Sequence, residues 1–136
     1  MVREIIRDTF FLSLPSREAT AADASVAADL KDTLVFNRER CVGLAANMIG
    51  ENVRIIAFFD KGRPEVMLNP VLLSSSGEYR TQEGCLSLDG QRETKRFVKI
   101  KVRWTSTDGK IKMGTFTDFT AQIIQHEMDH LSGILI

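Results

Sequence analysis

Residues 125–136 read QHEMDHLSGILI and contain an H-E-x-x-H pattern, in which two histidines flank an acidic residue. In an α-helix, residues four apart lie one turn apart on one face, so His126 and His130 can point at one metal ion. Glu127 follows the first histidine, where its carboxylate can take a proton from water at a metal centre. The pattern also occurs by chance, but these are the only two histidines in the chain. The stretch therefore predicts a helix that carries part of a metal site.

The pattern leaves the third metal ligand open. A metal site that performs chemistry usually has three side-chain ligands. Six residues follow His130 and none of them is a usual ligand, so we expect the third ligand upstream. The candidates are Cys41, Cys85 and many carboxylates, and a thiolate is the softer ligand for a borderline divalent ion. Local context favours Cys85, because Gly84 permits close approach of the backbone to an ion or substrate. The next amide, on Leu86, can also face a developing oxyanion.

The composition is that of an ordinary globular chain. Of the 136 residues, 43% are hydrophobic and 26% are charged, and the formal net charge is zero. This length predicts one domain over residues 1–136. A net charge of zero gives no reason to expect binding to DNA or to an anionic membrane, and no apolar run has the length of a transmembrane helix. The N-terminal residues do not resemble a signal peptide, so we expect a cytoplasmic protein whose cysteines are free, metal-bound or catalytic.

Apolar periodicity predicts a helix at residues 20–40 and another at residues 118–131, which contain the histidine pair. Between the helices, short apolar segments predict strands at residues 53–59, 65–73, 97–104 and 110–116. The second strand is predicted to bend or end at Pro70, and the SSSG segment at residues 74–77 is predicted to form a turn. The order predicts an α+β fold of mostly antiparallel sheets, packed around a C-terminal H-E-x-x-H helix, with an N-terminal helix.

Alternation is clearest in residues 97–104, FVKIKVRW. Val98, Ile100 and Val102 fall on one face of the predicted strand, and basic residues fall on the other face. The Asp-Gly pair at residues 108–109 then predicts a tight turn into the next strand. These signals predict a hairpin directly before the histidine helix.

Three motifs resemble the peptide deformylase family, whose members carry G-x-G-L-A-A-x-Q, then E-G-C-L-S, then Q-H-E-x-D-H. Here residues 41–48 read CVGLAANM, while residues 83–87 and 125–130 match the second and third motifs without change. The order and spacing of the motifs also resemble the family, from about residue 20 to the end of the sequence. The second and third motifs together are highly specific.

The resemblance implies that Cys85 is the third metal ligand, beside His126 and His130. It implies that Glu127 is the general acid and base and that the Leu86 amide helps to hold the oxyanion. It further implies one divalent metal ion, natively iron(II), which zinc or nickel can replace. The implied reaction is hydrolysis that removes the N-formyl group from the first methionine of nascent bacterial polypeptides.

The resemblance also implies a set of residues that contact the formyl-methionyl peptide: Gly43, Leu44, Ala45, Met48, Glu83, Gly84, Arg92 and His126. Arg92 stands seven residues after Cys85, where the family has an arginine that helps to hold the substrate backbone. We expect it in a loop that is shorter than usual. We also expect Gln125 and Glu83 to orient the metal ligands.

Two residues of the first motif depart from the family pattern. Cys41 replaces the first glycine, and Met48 replaces a glutamine whose amide donates to the oxyanion in the family. A thioether has no hydrogen to donate, and loss of one such donor typically lowers the rate about 10²–10³-fold. We therefore expect reduced activity. The alternatives are a metal hydrolase of another small N-acyl or amide substrate, and a metal-binding paralogue with little turnover.

The basic residues of the last third of the chain have two interpretations. Because deformylases act on emerging chains, these residues could make a transient contact with ribosomal RNA. They could also be a solvated strand face, which the alternation of residues 97–104 already explains for three of them, and we favour this interpretation. The residues concerned are Arg92, Lys95, Arg96, Lys99, Lys101 and Arg103.

Overall fold

The five strands of the protein form one antiparallel sheet, in which each strand pairs with the next strand along the chain. The computed structural model describes residues 1–136. The strands are β1 (Gly43–Ala45), β2 (Ile55–Asp60), β3 (Arg63–Cys85), β4 (Leu88–Thr105) and β5 (Ile111–Thr117). Antiparallel neighbours can be joined by tight turns, so this order needs no crossover connection. The predicted α+β class is confirmed.

Three α-helices accompany the sheet: α1 (Thr9–Leu12), α2 (Ala24–Phe36) and α3 (Asp118–Leu131). The helix predicted at residues 118–131 is confirmed, and α2 begins after a short 3-10 turn and ends before residue 40. α2 and α3 pack on the sheet, and the core between them includes Leu30, Leu34, Ile56, Phe58, Ile100, Val102, Ile124 and Leu131. No helix of the protein has the length and hydrophobicity needed to cross a membrane.

β3 is longer than the sequence predicted. The SSSG segment at residues 74–77 is not a turn, because it lies within β3 and pairs with residues of β4 such as Lys99 and Lys101. The strand does not end at Pro70. The pairing with β4 is irregular there, because the register shifts between Leu68 and Val71. Since proline lacks an amide hydrogen, the ladder is interrupted at this point and resumes beyond it.

The predicted alternation of β4 holds only in part. Ile100 and Val102 are buried, but Val98 is 42% exposed. Val98 pairs with β3 where residues 71–78 of that strand are exposed on both faces. Val98 faces Gly77, which has no side chain to cover it, and the pairing of β4 with β5 begins only at Lys99, so Val98 remains partly at the surface.

A buried carboxylate holds the 3-10 turn (Ala21–Asp23) that precedes α2. Asp23 accepts hydrogen bonds from the Thr20 amide at 2.8 Å and from the Arg17 guanidinium at 2.8 and 3.0 Å. The Arg17 bond, followed by the Thr20 bond, lowers the pKa of Asp23 from 3.8 to about 2. Because the folded pKa lies below the unfolded one, Asp23 stabilises the fold above about pH 4 and loses this contribution as the pH falls toward 2.

Replacing Asp23 tests whether its bonds to Arg17 and Thr20 stabilise the fold. We expect Asp23→Ala to lower the free energy of unfolding by about 1 kcal/mol at neutral pH, because the variant loses the capping-box bond of the 3-10 turn and the bond to Arg17. The deficit should shrink as the pH falls below about 4, because the wild-type carboxylate then becomes protonated. Urea unfolding of both proteins at neutral and acidic pH measures the difference. Glu18→Ala removes an exposed carboxylate nearby and is the control. An equal deficit at both pH values would contradict the role of the ion pair.

Candidate metal centre

Cys85, His126 and His130 converge at one place, although they come from two different elements. Cys85 is the last residue of β3, and the histidines lie one turn apart on α3. The Cys85 Sγ atom is 3.5 Å from His130 Nε2, which is 3.1 Å from His126 Nε2. The three ligand atoms all lie within 4.8 Å of one another.

These separations fit a tetrahedral divalent ion. Bonds of about 2.3 Å to sulfur and about 2.0–2.1 Å to nitrogen place sulfur and nitrogen ligands about 3.6 Å apart, and two nitrogens about 3.3 Å apart. The observed separations of 3.5 and 3.1 Å agree with these values to within about 0.2 Å. One thiolate and two imidazoles also suit zinc, iron and nickel. The donor set therefore fits a catalytic metal ion.

A tight turn presents Cys85. Cys85 pairs with Leu88, so Leu86 and Ser87 form the turn that joins β3 to β4. The Ser87 amide donates a hydrogen bond to Cys85 Sγ at 3.4 Å. The Leu86 amide has no acceptor within the protein. It is therefore free to donate to a substrate oxygen beside the triad.

A buried carboxylate orients the first histidine. Glu83 Oε1 lies 2.7 Å from His126 Nδ1, which leaves His126 Nε2 to face the triad. Arg96 donates to the two oxygens of Glu83 at 2.7 and 3.0 Å and to Asp129 at 2.7 Å. Burial opposes ionisation of Glu83, but the bonds from His126, Arg96 and Gln122 outweigh it and lower its pKa to about 2. Glu83 is therefore a carboxylate at neutral pH.

Arg96 is the residue of this site that the sequence analysis missed. Its interpretation as part of a solvated basic face is wrong, because Arg96 is only 3% exposed. The other basic residues of the strand are exposed, which is compatible with both interpretations: Lys95, Lys99, Lys101 and Arg103. The strand alternation was a signal that could have found it, because Arg96 falls on the face of Ile100 and Val102 whereas Lys95 falls on the face of Lys99. The pairing of β3 with β4 and the packing of α3 supply its two acidic partners.

The two histidines differ in their electrostatic surroundings. Burial, reinforced by the neighbouring His126, lowers the pKa of His130 to about 3. Burial also disfavours the charged form of His126, but Glu127, Cys85 and Glu83 outweigh it and raise its pKa to about 10. In the protein without a metal ion, the pair therefore carries one positive charge. The acidic surroundings stabilise positive charge at the position that the metal would occupy.

Glu127 lies against β1, where the strand approaches α3 closely. A Cβ atom added to Gly43 would lie 2.7 Å from Ile123 Cγ2 and 2.8 Å from Glu127 Oε2, so only glycine fits without movement. The Glu127 side chain is buried, and its Oε1 has no hydrogen-bond partner. Burial raises the pKa of Glu127 to about 7, although the charge of His126 opposes this. Such a carboxyl group can accept and return a proton near neutral pH.

A cavity of about 850 Å³ opens beside the triad. Of the residues that the resemblance assigns to catalysis or substrate, those that line it are Gly43, Met48, Glu83, Gly84, Leu86, His126 and Glu127. Cys41 and Cys85 line it as well. Burial and the Glu127 carboxylate raise the pKa of Cys41 to about 12, so this second cysteine is a neutral thiol.

Three of the residues assigned to substrate do not line the cavity. Leu44 and Ala45 are 0% exposed and form the part of β1 that faces the core. Arg92 is not in a loop, as the sequence predicted, but in β4, where it pairs with Glu83. β4 begins at Leu88, because the turn after Cys85 is tight, so no loop remains to hold Arg92. Its guanidinium donates to the Asp89 carbonyl at 2.8 Å.

Met48 stands at the position of the family's glutamine, and its neighbour Asn47 carries an amide. Met48 lines the cavity, and its Sδ accepts a hydrogen bond from the Ala45 amide at 3.4 Å. Asn47 is fully buried, and its Nδ2 donates to the His130 carbonyl at 2.9 Å. The Asn47 amide therefore faces the end of α3 and is not directed at the cavity as a substitute for the glutamine amide of the family motif.

An H-E-x-x-H helix with an upstream cysteine, next to a cavity, is typical of metal-dependent hydrolases. The family model described as Polypeptide deformylase matches residues 11–136. A peptide deformylase of Clostridium beijerinckii is 49% identical over 136 residues, which cover 100% of both chains. A peptide deformylase of Dictyoglomus thermophilum is 36% identical over 142 aligned positions, which cover 100% of this chain and 91% of the other.

A comparison with solved structures also finds a peptide deformylase. The Met-Ala-Ser-bound class I type b peptide deformylase from Acinetobacter baumannii superimposes with a TM-score of 0.88. The two chains are 26% identical, and the match covers 99% of this chain and 97% of the other. The chain belongs to the peptide deformylase family. Its members are metal-dependent hydrolases that remove the formyl group from nascent peptides, and the predicted family and enzyme class are confirmed.

Glu83→Gln tests whether the buried carboxylate supports the metal site. The variant keeps the shape of the side chain but removes the charge that faces His126 and Arg96. We expect the affinity for zinc or cobalt to fall about 10–100-fold, as it does when such partners of ligands are removed. Competition with a chromophoric chelator measures the affinity. Glu78→Gln, which changes an exposed glutamate of the same strand, is the control. Unchanged affinity in Glu83→Gln would contradict the role of this network.

Proposed function

We propose that the chain hydrolyses the N-formyl group of formyl-methionyl peptides and releases formate and a free α-amine. One observation carries the proposal: Cys85, His126 and His130 meet within 4.8 Å at the cavity that Glu127 also lines. Membership of the deformylase family supports the substrate. The Met-Ala-Ser peptide bound to the Acinetobacter baumannii relative begins with methionine, as the product of this reaction would.

Cys85, His126 and His130 would hold a single divalent ion. When bound, this ion supplies Lewis-acid chemistry, which polarises a carbonyl group and makes water acidic enough to attack at neutral pH. We propose iron(II) as the native ion, with zinc or nickel as substitutes, because a thiolate and two imidazoles accommodate all three.

Glu127 moves the proton in the proposed reaction. Its carboxylate accepts a proton from the attacking water and returns it to the nitrogen of the methionine as the C–N bond breaks. Burial, which raises its pKa to about 7, suits both transfers. The Leu86 amide has no acceptor within the protein, and it would donate to the formyl oxygen as negative charge develops there.

The edge of β1 that pairs with no other strand would bind the peptide backbone. β1 pairs only with β2, and Val42 and Gly43 at its start line the cavity. An extended peptide can add to such an edge through main-chain hydrogen bonds. Gly84 of β3 also lines the cavity, where it has no side chain to obstruct the peptide. Leu44 and Ala45 would then contribute through their backbone alone.

The cellular setting of this activity stays a prediction. We propose a cytoplasmic enzyme that acts on nascent chains and touches the ribosome transiently. The exposed residues Lys95, Lys99 and Lys101 support a contact with RNA, since they place positive charge on one strand. A different N-acyl substrate is the second candidate function, because Met48 in place of a donor would suit another acyl group.

Formate release tests the proposed function directly. Protein loaded with iron(II) or nickel(II) without oxygen should release formate from formyl-Met-Ala-Ser. We expect Glu127→Ala to lower the rate about 10²–10⁴-fold, because it removes the proton carrier. The bound metal should stay constant, which metal analysis of both proteins checks. Absence of formate from fully metal-loaded wild-type protein would overturn the proposal.

Met48→Gln tests whether the missing donor limits the rate. We expect the variant to raise kcat on formyl-Met-Ala-Ser by about 10²–10³-fold, because it restores a hydrogen bond to the oxyanion. Met48→Leu keeps an apolar side chain without a donor and should give no gain. Steady-state kinetics with formate detection compares the three proteins. If neither variant exceeds the wild type, Met48 is not a missing oxyanion donor, and another acyl substrate gains support.

A further inference from the structure

We propose that two arginines at the rim of the cavity, Arg38 and Arg40, select formyl-methionyl peptides with an acidic second or third residue. The proposal rests on the proposed function and adds a substrate class to it. The two residues contact neither the triad nor Glu127, so they would act on specificity and not on the chemical step.

The position of the arginines follows from the path of the chain. Residues 38–43 all line the cavity, and this segment runs from the end of α2 to the start of β1. Its last residue, Gly43, touches Glu127, so the residues before it lead away from the reacting group. Three residues span at most about 10 Å, which keeps Arg40 within that distance of Gly43. Arg38, two residues earlier, also lines the cavity, and both arginines are exposed to solvent.

Contacts within the protein hold both guanidinium groups without neutralising them. Arg40 donates to the Asn37 Oδ1 atom at 2.5 Å, and Asn37 is itself buried and donates to the Thr33 carbonyl at 2.8 Å. The Arg38 guanidinium lies 5.2 Å from the centroid of the Phe59 ring. Among the ion pairs of the protein, none involves Arg38 or Arg40. Their charge is therefore available to a ligand.

The other charged residues of the rim do not cancel this charge. Arg7 forms an ion pair with Asp89, with 2.5 Å between Nη2 and Oδ1, so that pair is neutral as a whole. Glu39 lies between the two arginines in the sequence and opposes them with one negative charge. Two positive charges against one leave this wall of the cavity positive.

A peptide that lies along the edge of β1 would bring its next residues to this wall. With the formyl group at Glu127, each further residue extends the substrate by about 3.3 Å. The side chains of the second and third residues would then reach the segment that contains Arg38 and Arg40. A carboxylate can accept charge-assisted hydrogen bonds from guanidinium groups, whereas a lysine would be repelled. Because the rim is open to solvent, we expect a preference of about tenfold or less.

Kinetics on matched peptides tests the proposal. The peptides are formyl-Met-Asp-Ser amide and formyl-Met-Lys-Ser amide, whose blocked ends leave the second residue as the only difference. We expect kcat/KM to be about 5–10-fold higher for the aspartate peptide at low salt, and the ratio to approach one in about 1 M salt. The double variant Arg38→Ala, Arg40→Ala should abolish the preference, and Glu39→Gln should increase it. Arg103→Ala, at the far end of β4, should leave it unchanged.

Two further measurements separate this proposal from the proposed function. If the neutral formyl-Met-Ala-Ser amide is not hydrolysed, the proposed function fails. Calorimetric binding of the free peptides Met-Asp-Ser amide and Met-Lys-Ser amide still decides the role of the rim, since it needs no turnover. Tighter binding of the aspartate peptide, lost in the double variant, supports the proposal. Equal kcat/KM and equal binding of the two peptides, or a preference that survives the double variant, would overturn it.

Discussion

The buried ion pair between Arg96 and Glu83 is the interaction on which the rest of the site depends. Arg96 comes from β4 and Glu83 from β3, and the two residues hold Asp129 and His126 of α3. A charge removed from water is costly unless partners compensate it, and loss of one partner of a buried pair typically costs about 3–5 kcal/mol. The two strands and the helix must therefore meet in one arrangement. That arrangement also brings Cys85, two residues after Glu83 on the same strand, to the histidines.

Two places in the backbone position the groups of the site: the turn after β3 and the close approach of β1 to α3. The tight turn after β3 places the Cys85 thiol next to the free Leu86 amide, so the proposed metal ligand and the proposed oxyanion donor come from adjacent residues. Gly43 lets β1 approach α3, which buries Glu127 and raises its pKa toward neutrality. Met48 departs from the family at the remaining donor position. Under the proposed function, the chain would combine three metal ligands and a proton carrier with one oxyanion donor fewer than the family motif supplies.

Sequence reasoning succeeded where the signal is local and failed where it depends on a distant partner. The spacing of His126 and His130 predicts α3, because side chains four apart share a helical face. The serines at residues 74–76 were predicted to form a turn, yet pairing with β4 keeps them in a strand. The alternation of β4 places Arg96 on the face of Ile100 and Val102, but its acidic partners come from β3 and α3 and are seen only in the folded protein. Motif resemblance named Cys85, a choice that the residues alone left open among Cys85, Cys41 and the carboxylates.

The most direct test of the account is the absorption spectrum of the protein loaded with cobalt(II). If Cys85, His126 and His130 bind one ion together, one equivalent of cobalt should produce an intense sulfur-to-cobalt charge-transfer band in the near ultraviolet. It should also produce the visible bands of a four-coordinate site. Cys85→Ser should lose the charge-transfer band, while Cys41→Ser should retain it. A charge-transfer band that persists in Cys85→Ser, or that disappears in Cys41→Ser, would contradict the assignment of the metal centre.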